Sequence, residues 1–273
     1  MCVLFFLFSD MTKEMELFDM IKDFMADKLR VRVFETRQKM GECAGSEAAA
    51  CMKKLLAEKD EINVIFAAAP SQNETLATLC ADKDIDWSRI NAFHMDEYIG
   101  LSETHSASFR NFLRRSIFDR FPFKTVNLIN GTAENIEEEI ARYTQLMNEK
   151  KPDICILGVG ENGHIAFNDP WVADFNDPAI IKAVTLDERC RTQQVNDGCF
   201  EKLEEVPTQA LTVTIPGLCR AKYMYCSVPA ATKAEAIGNM LNGEVTVDCP
   251  ASILTTHEDA YLYTDRDAAA RIL

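Results

Sequence analysis

Short apolar, β-branched runs alternate with amphipathic stretches along the whole of this 273-residue chain. That alternation is the pattern of βα units, which build a mostly parallel sheet with helices on both faces. The spacing predicts strands over 31–34, 62–68, 90–94, 126–129, 154–157, 180–186, 211–215, 223–228 and 261–263, and helices over 37–58, 108–118, 134–148 and 233–241. With 47% hydrophobic and 26% charged residues, the chain has enough apolar surface for one large core. The expected architecture is a single α/β domain over residues 30–273, preceded by a partly helical N-terminal extension over 1–29. Open parallel sheets bind ligands beyond the carboxyl ends of their strands, so the loops after Ala68, His94 and Leu157 are where chemistry is expected.

Charge and cysteine usage narrow the partners. The formal net charge of −14 repels polyanions, which argues against nucleic acid or an anionic membrane surface as partner. An anionic small substrate would have to be held by local cations and oriented amides. The ten cysteines show no CxxC and no Cys/His spacing of a metal site, as expected of reduced thiols in a cytoplasmic protein. The apolar run in MCVLFFLFSD has no preceding Lys or Arg and is shorter than a usual signal core with its cleavage site.

Two strand exits carry residues suited to acid/base work. In DICILGVGENGHIAFNDP an apolar strand runs into Gly158, Gly160 and Gly163, followed by His164. Glycines here let the backbone approach a ligand closely. The three also satisfy GxGxxG, but a dinucleotide fingerprint opens a long helix, and Asn168, Asp169 and Pro170 interrupt this segment. A lone histidine is often structural; beside glycines, with Asn162 and Asp169 close enough to orient its ring, His164 is a candidate general acid/base. In INAFHMDEYIG a strand ends at Asp96 and Glu97, whose side chains should point to opposite sides, leaving one to face the pocket. Asp96 is then a candidate base next to a carbonyl, the alternative being that either acid only caps or bridges. No HExxH or DxDxDG spacing is present, and no metal or organic cofactor is expected.

The blocks NAFHMDEYIGL, HSASF, NLINGTAENIEEEIARY and ILGVGENGHIAFNDP, in that order and continued by VPTQALTVTI and PAATKAEAI, resemble the glucosamine-6-phosphate deaminase family, within a superfamily that includes 6-phosphogluconolactonases. The resemblance implies a Rossmann-like domain that binds no nucleotide, and conversion of an amino-sugar phosphate to the ketose phosphate with release of ammonia. It assigns Asp96 the proton transfer between C2 and C1, His164 the opening of the pyranose ring, and Lys233 the grip on the phosphate. Members include monomers and hexamers, so a homo-oligomer is compatible with it.

Several positions depart from the family pattern. Many members flank the histidine with Asp and Glu where this chain has Asn162 and Asp169. The phosphate loop, usually Pro-Thr-Gly-Gly-Thr, is AAAPSQNETL here, which leaves Ser71, Gln72 and Asn73 as expected substrate ligands. A family arginine falls at Gln194, with Arg191 one turn earlier as a candidate substitute. Glu97 and Gly163 complete the expected substrate-binding set. Two other readings share the resemblance: a 6-phosphogluconolactonase-type hydrolase, and a sugar-phosphate sensor without catalysis.

Overall fold

The structure, a computed structural model, describes residues 19–196 and 198–273. Its main sheet has eight strands. β1 (Met20–Ala26) pairs antiparallel with β2 (Leu29–Phe34), and every other pairing in the sheet is parallel. Beyond β2 come β11 (Ala260–Asp265), β10 (Tyr223–Val228), β7 (Ile154–Leu157), β3 (Ile62–Phe66), β4 (Ile90–His94) and β6 (Thr125–Asn127), in that spatial order. A second, antiparallel sheet of β5 (Asp96–Tyr98), β9 (Gln209–Val213) and β8 (Ile181–Thr185) sits beside the end of β4. The expected α/β architecture is thus the one observed.

Both faces of the central strands are buried, which is why they read as continuous apolar runs instead of alternating ones. Ile154 and Ile156 on β7 enter one core cluster with Val64 and Phe66. Their chain neighbours Cys155 and Leu157 enter the other with Ile65. Each fully buried Ile, Leu or Phe contributes about 1.5–3 kcal/mol relative to exposure.

The helices are α1 (Arg37–Glu58), α2 (Asn73–Ala81), α3 (Phe109–Ser116), α4 (Ile136–Glu149), α5 (Glu188–Asn196), the short α6 (Ile215–Leu218) and α7 (Ala234–Asn242). No helix among the described residues is long and apolar enough to cross a membrane. The parallel strands all present their carboxyl ends at one edge, where α1, α2 and α7 begin.

The sequence reading differs from the structure in places that matter for the site. Residues 20–26 are strand and close the sheet edge, so the domain begins before residue 30 and this part of the expected extension is not helical. Residues 1–18, which hold the rest of that extension, lie outside the described residues. The end of the expected loop AAAPSQNETL is already helical, since α2 begins at Asn73. Pro70 starts a 3-10 turn over Pro70–Gln72 that leads straight into α2, and Glu74 in its first turn suits the helix dipole.

α1 lies against α2 at a separation only glycine permits. A Cβ on Gly41 would fall 2.2 Å from the Cβ of Glu74, and one on Gly45 would fall 2.7 Å from the Thr75 carbonyl oxygen. The two glycines therefore set how close the first turns of α1 and α2 come. Gly41→Val should push the helices apart and lower stability by about 1–3 kcal/mol, the usual cost of overpacking. Chemical denaturation of the variant checks this, and an unchanged midpoint would contradict the contact.

Candidate active site

Four strand exits meet in one pocket. Its wall includes Ala67 to Ser71 after β3, Met95 and Asp96 after β4, Gly158 to Gly160 and His164 after β7, and Pro229, Ala230, Thr232 and Lys233 after β10. α5 adds Gln193 and Gln194, and Arg37 reaches in from the start of α1.

His164 is held by a small network. Its Nδ1 lies 2.7 Å from Asn162 Oδ1 and 3.0 Å from Asp169 Oδ1, while Asn162 Nδ2 donates to the same Asp169 oxygen at 2.7 Å. Asn162 Oδ1 also accepts the His164 backbone N–H at 3.1 Å. With acceptors on its Nδ1 side, the ring carries its proton there and leaves Nε2 for a ligand. Burial raises the Asp169 carboxyl, but the hydrogen bond and charge of His164, with donors from Asn162 and Cys190, outweigh it and hold Asp169 below its ordinary value. The imidazole lies against Gly160, where a Cβ would sit 2.2–2.4 Å from three ring atoms, so only glycine admits it. Gly163 takes φ +84° and does not line the pocket; its carbonyl accepts from Ala251 N at 2.8 Å, so it shapes the turn and is not placed to bind substrate. No helix follows this loop before α5, which removes the dinucleotide alternative.

Asp96 faces the pocket and is 8% exposed. Burial, reinforced by the charge of Glu97, holds its carboxyl well above the usual carboxylate range. The side chain of Glu97 points the other way and is fully buried. Its carboxylate accepts from Ser108 Oγ at 2.9 Å, from the backbone N–H groups of Tyr98, Phe109 and Arg110, and from Arg110 Nε at 3.1 Å. Glu97 therefore caps α3 and pairs with Arg110, and its expected place among the substrate ligands is corrected. The neighbouring His94 is buried and held neutral, its pKa lowered to about 3 by desolvation and the Arg110 charge.

The part of the pocket where the resemblance places the phosphate differs from the expectation at three residues. Ser71 lines the pocket. Gln72 does not: it is fully buried, donating through Nε2 to Ser71 Oγ at 3.1 Å and to the Ser227 carbonyl at 3.2 Å. Asn73 is the exposed first residue of α2 and lies outside the wall. Arg191 turns away, its guanidinium donating to the carbonyls of Leu203 and Val206, whereas Gln194 does line the pocket. Lys233 precedes α7 and is 7% exposed in the wall. It follows Ala230, whose φ of +85° is costly for a residue with a Cβ. Asp265 fixes that strained turn by accepting the Ala230 N–H at 3.1 Å.

Sequence reasoning missed Arg37, Gln193 and Cys199 in the wall. Arg37 carried one signal: a cation in the first turn of a helix, where acids are the usual choice. Sequence spacing also missed a grouping of His164, Asp169 and Cys190, whose donor atoms lie within 4.8 Å of one another because α5 folds back over the loop. In the structure these three form a hydrogen-bonded set.

The Glucosamine-6-phosphate isomerases/6-phosphogluconolactonase family model matches residues 35–263. The chain belongs to that family. It is 35% identical over 224 residues to a glucosamine-6-phosphate deaminase of Streptococcus sanguinis, covering 82% of this chain and 92% of the relative. A Bacillus cereus protein of the same name is 38% identical over 184 residues, 67% of this chain and 68% of the relative. Among solved structures, a monomeric glucosamine-6-phosphate deaminase superposes with a TM-score of 0.81 at 29% identity, over 88% of this chain and 99% of that one. A 6-phosphogluconolactonase of Thermotoga maritima superposes at 0.71 with 18% identity, over 86% and 99%, a likeness of fold.

The Glu97–Arg110 pair is 0% and 5% exposed at its side chains, so removing one partner strands a buried charge. Glu97→Ala should cost about 3–5 kcal/mol. Denaturation of the purified variant measures this; full stability with a raised KM would return Glu97 to the substrate site.

Proposed function

We propose that the protein is an amino-sugar phosphate deaminase/isomerase, converting glucosamine 6-phosphate or a close epimer to the ketose 6-phosphate and ammonia. The observation that carries this reading is the presence, in the wall of one pocket, of a buried Asp96 with raised proton affinity and an oriented His164, together with Ser71 and Lys233. The names of the relatives support it.

The chemistry assigned to the residues follows from these positions. His164 Nε2, with its Nδ1–H held by Asn162 and Asp169, takes the proton of the anomeric hydroxyl and passes it to the ring oxygen, which opens the pyranose to the aldehyde. Asp96 removes the proton from C2, next to that aldehyde, while the substrate ammonium passes a proton to O1, giving an enolamine, and Asp96 returns its proton to C1. The nitrogen lone pair then forms a C2 iminium, water adds to it, and ammonia leaves as the ketone forms. A substrate ammonium entering beside Asp96 supplies the positive charge that favours its ionised, basic form. A lactone hydrolysis needs no carbon acid to be deprotonated, so this buried carboxylate favours deamination over the hydrolase reading.

A panel of glucosamine 6-phosphate, its galacto epimer and 6-phosphogluconolactone, followed for ammonia and acid release, tests the proposal. Ammonia from an amino sugar is the expected result, and acid from the lactone alone would overturn it. Asp96→Asn should lower kcat by about a hundredfold to ten-thousandfold with the fold intact. Because a base acts when deprotonated and Asp96 titrates above an ordinary aspartate, kcat/KM should fall, as pH drops, at a higher pH than a free carboxylate would give. An acid limb at or below the ordinary aspartate value would remove Asp96 from the role.

A further inference from the structure

The two cations in the pocket wall both sit where helix physics disfavours them. Arg37 is the first residue of α1, and Lys233 is the residue that precedes α7 without capping it through its side chain. The positive end of a helix dipole disfavours a cation there and favours an anion. A residue that breaks a local rule while lining a cavity is a candidate for a functional position. In a chain of net charge −14, two helix starts carrying cations toward one cavity create a confined positive region that the overall field does not supply.

The side chain of Arg37 is anchored at one edge only. Its Nε donates to Glu74 Oε1 at 2.7 Å, and Nη2 donates to the Pro70 carbonyl. Nη1 makes no hydrogen bond among the described residues. The guanidinium plane is thus fixed on the loop that follows β3, beside Ser71, while its side chain stays 36% exposed in the pocket wall. This placement depends on Gly41 and Gly45, which bring the first turn of α1 against Glu74. Gln72 acts on the other ligand: its amide donates to Ser71 Oγ and leaves that hydroxyl's own proton for the pocket.

We propose that Arg37 is the second cation of the anion site, binding the phosphate of the substrate together with Lys233 and the Ser71 hydroxyl, with Glu74 as its positioning residue. An arginine anchored through Nε and Nη2 offers its remaining donors in a fixed direction, which suits a tetrahedral oxyanion. The site is thereby built from side chains at two helix starts, where Gln72 fills the space beneath Gly158: a Cβ on that glycine would lie 2.9 Å from Gln72 Nε2.

This inference rests on the reading of an anionic substrate, so its test uses inorganic phosphate as a probe that needs no turnover. Calorimetric titration of the full chain with phosphate should give a Kd that rises about tenfold to a hundredfold in Arg37→Ala, the range for losing a hydrogen bond to a charged group. Arg37→Lys should recover part of the loss. KM for glucosamine 6-phosphate should rise in parallel with a much smaller change in kcat, since the contact is remote from the reacting carbons. Because Arg37 also links α1 to α2, Glu74→Gln and the melting temperatures of all variants are measured alongside. A fall in melting temperature with phosphate affinity and KM unchanged makes Arg37 a structural clamp and overturns the proposal. Equal phosphate affinity in wild type and Arg37→Ala, or no phosphate binding by wild type, overturns it whether or not the protein deaminates. Lost phosphate binding in Arg37→Ala with no ammonia release by wild type keeps the anion site and removes only the reaction.

Discussion

The buried Glu97 carboxylate is the contact from which the catalytic geometry follows. Five donors converge on it from β5, the start of α3 and the Arg110 guanidinium. A charge fully removed from water is tolerable only when its lone pairs are taken up in this way. Fixing Glu97 fixes the strand that carries it, and on a strand the preceding side chain must point to the opposite side. Asp96 is therefore aimed into the pocket by its neighbour's burial. The same neighbour raises its proton affinity through like charge, so one buried acid both places the other and adjusts it.

The pocket is also rigid where rigidity costs something. Of the residues other than glycine with positive φ among the described residues, Ala166 and Ala230 both lie in its wall. Such conformations persist only when surroundings over-determine them. Asp265, at the end of β11, holds the turn at Ala230 and receives the Ala268 N–H at 2.9 Å as well. Lys233 is thus oriented from a strand two positions away from β7 in the sheet, and His164 from β7 itself.

How much of this was legible in the sequence varied with the kind of interaction. Strands buried on both faces announce themselves by composition, and β4, β7 and β10 begin and end where the apolar runs do. β1 was not legible, because MIKDFMA on a sheet edge mixes charge with apolar residues and is half exposed. α2 was hidden by its polar first turn and the proline before it. In the site, Asp96, His164, Asn162 and Asp169 stood out because each is close in sequence to the partner that orients it. Arg37, Cys190 and the inward burial of Gln72 depend on contacts between segments that are far apart in the chain, and no local pattern encodes those. Glu97 was misplaced because strand alternation gives two opposite directions for an acidic pair but does not say what waits behind the strand.

The altered phosphate loop and the acidic net charge are connected. A glycine loop holds an anion with backbone amides, which carry no net charge and work in any field. With Gln72 in that space, the proposed site leans on side chains, and in a molecule of net charge −14 cations in the pocket wall supply the local positive charge that the overall field does not. Lys233 alone is a flexible point charge, whereas a guanidinium fixed at one edge adds direction. The departures at Gln72 and Gln194 are coherent with each other on this view. A polar amide at Gln194 adds no third cation to the same cavity, and on the proposed reading the directional cation is Arg37 of α1. On the proposed reading, anion recognition rests on the helix starts around the loop, and the proposed acid/base pair stays at the strand ends.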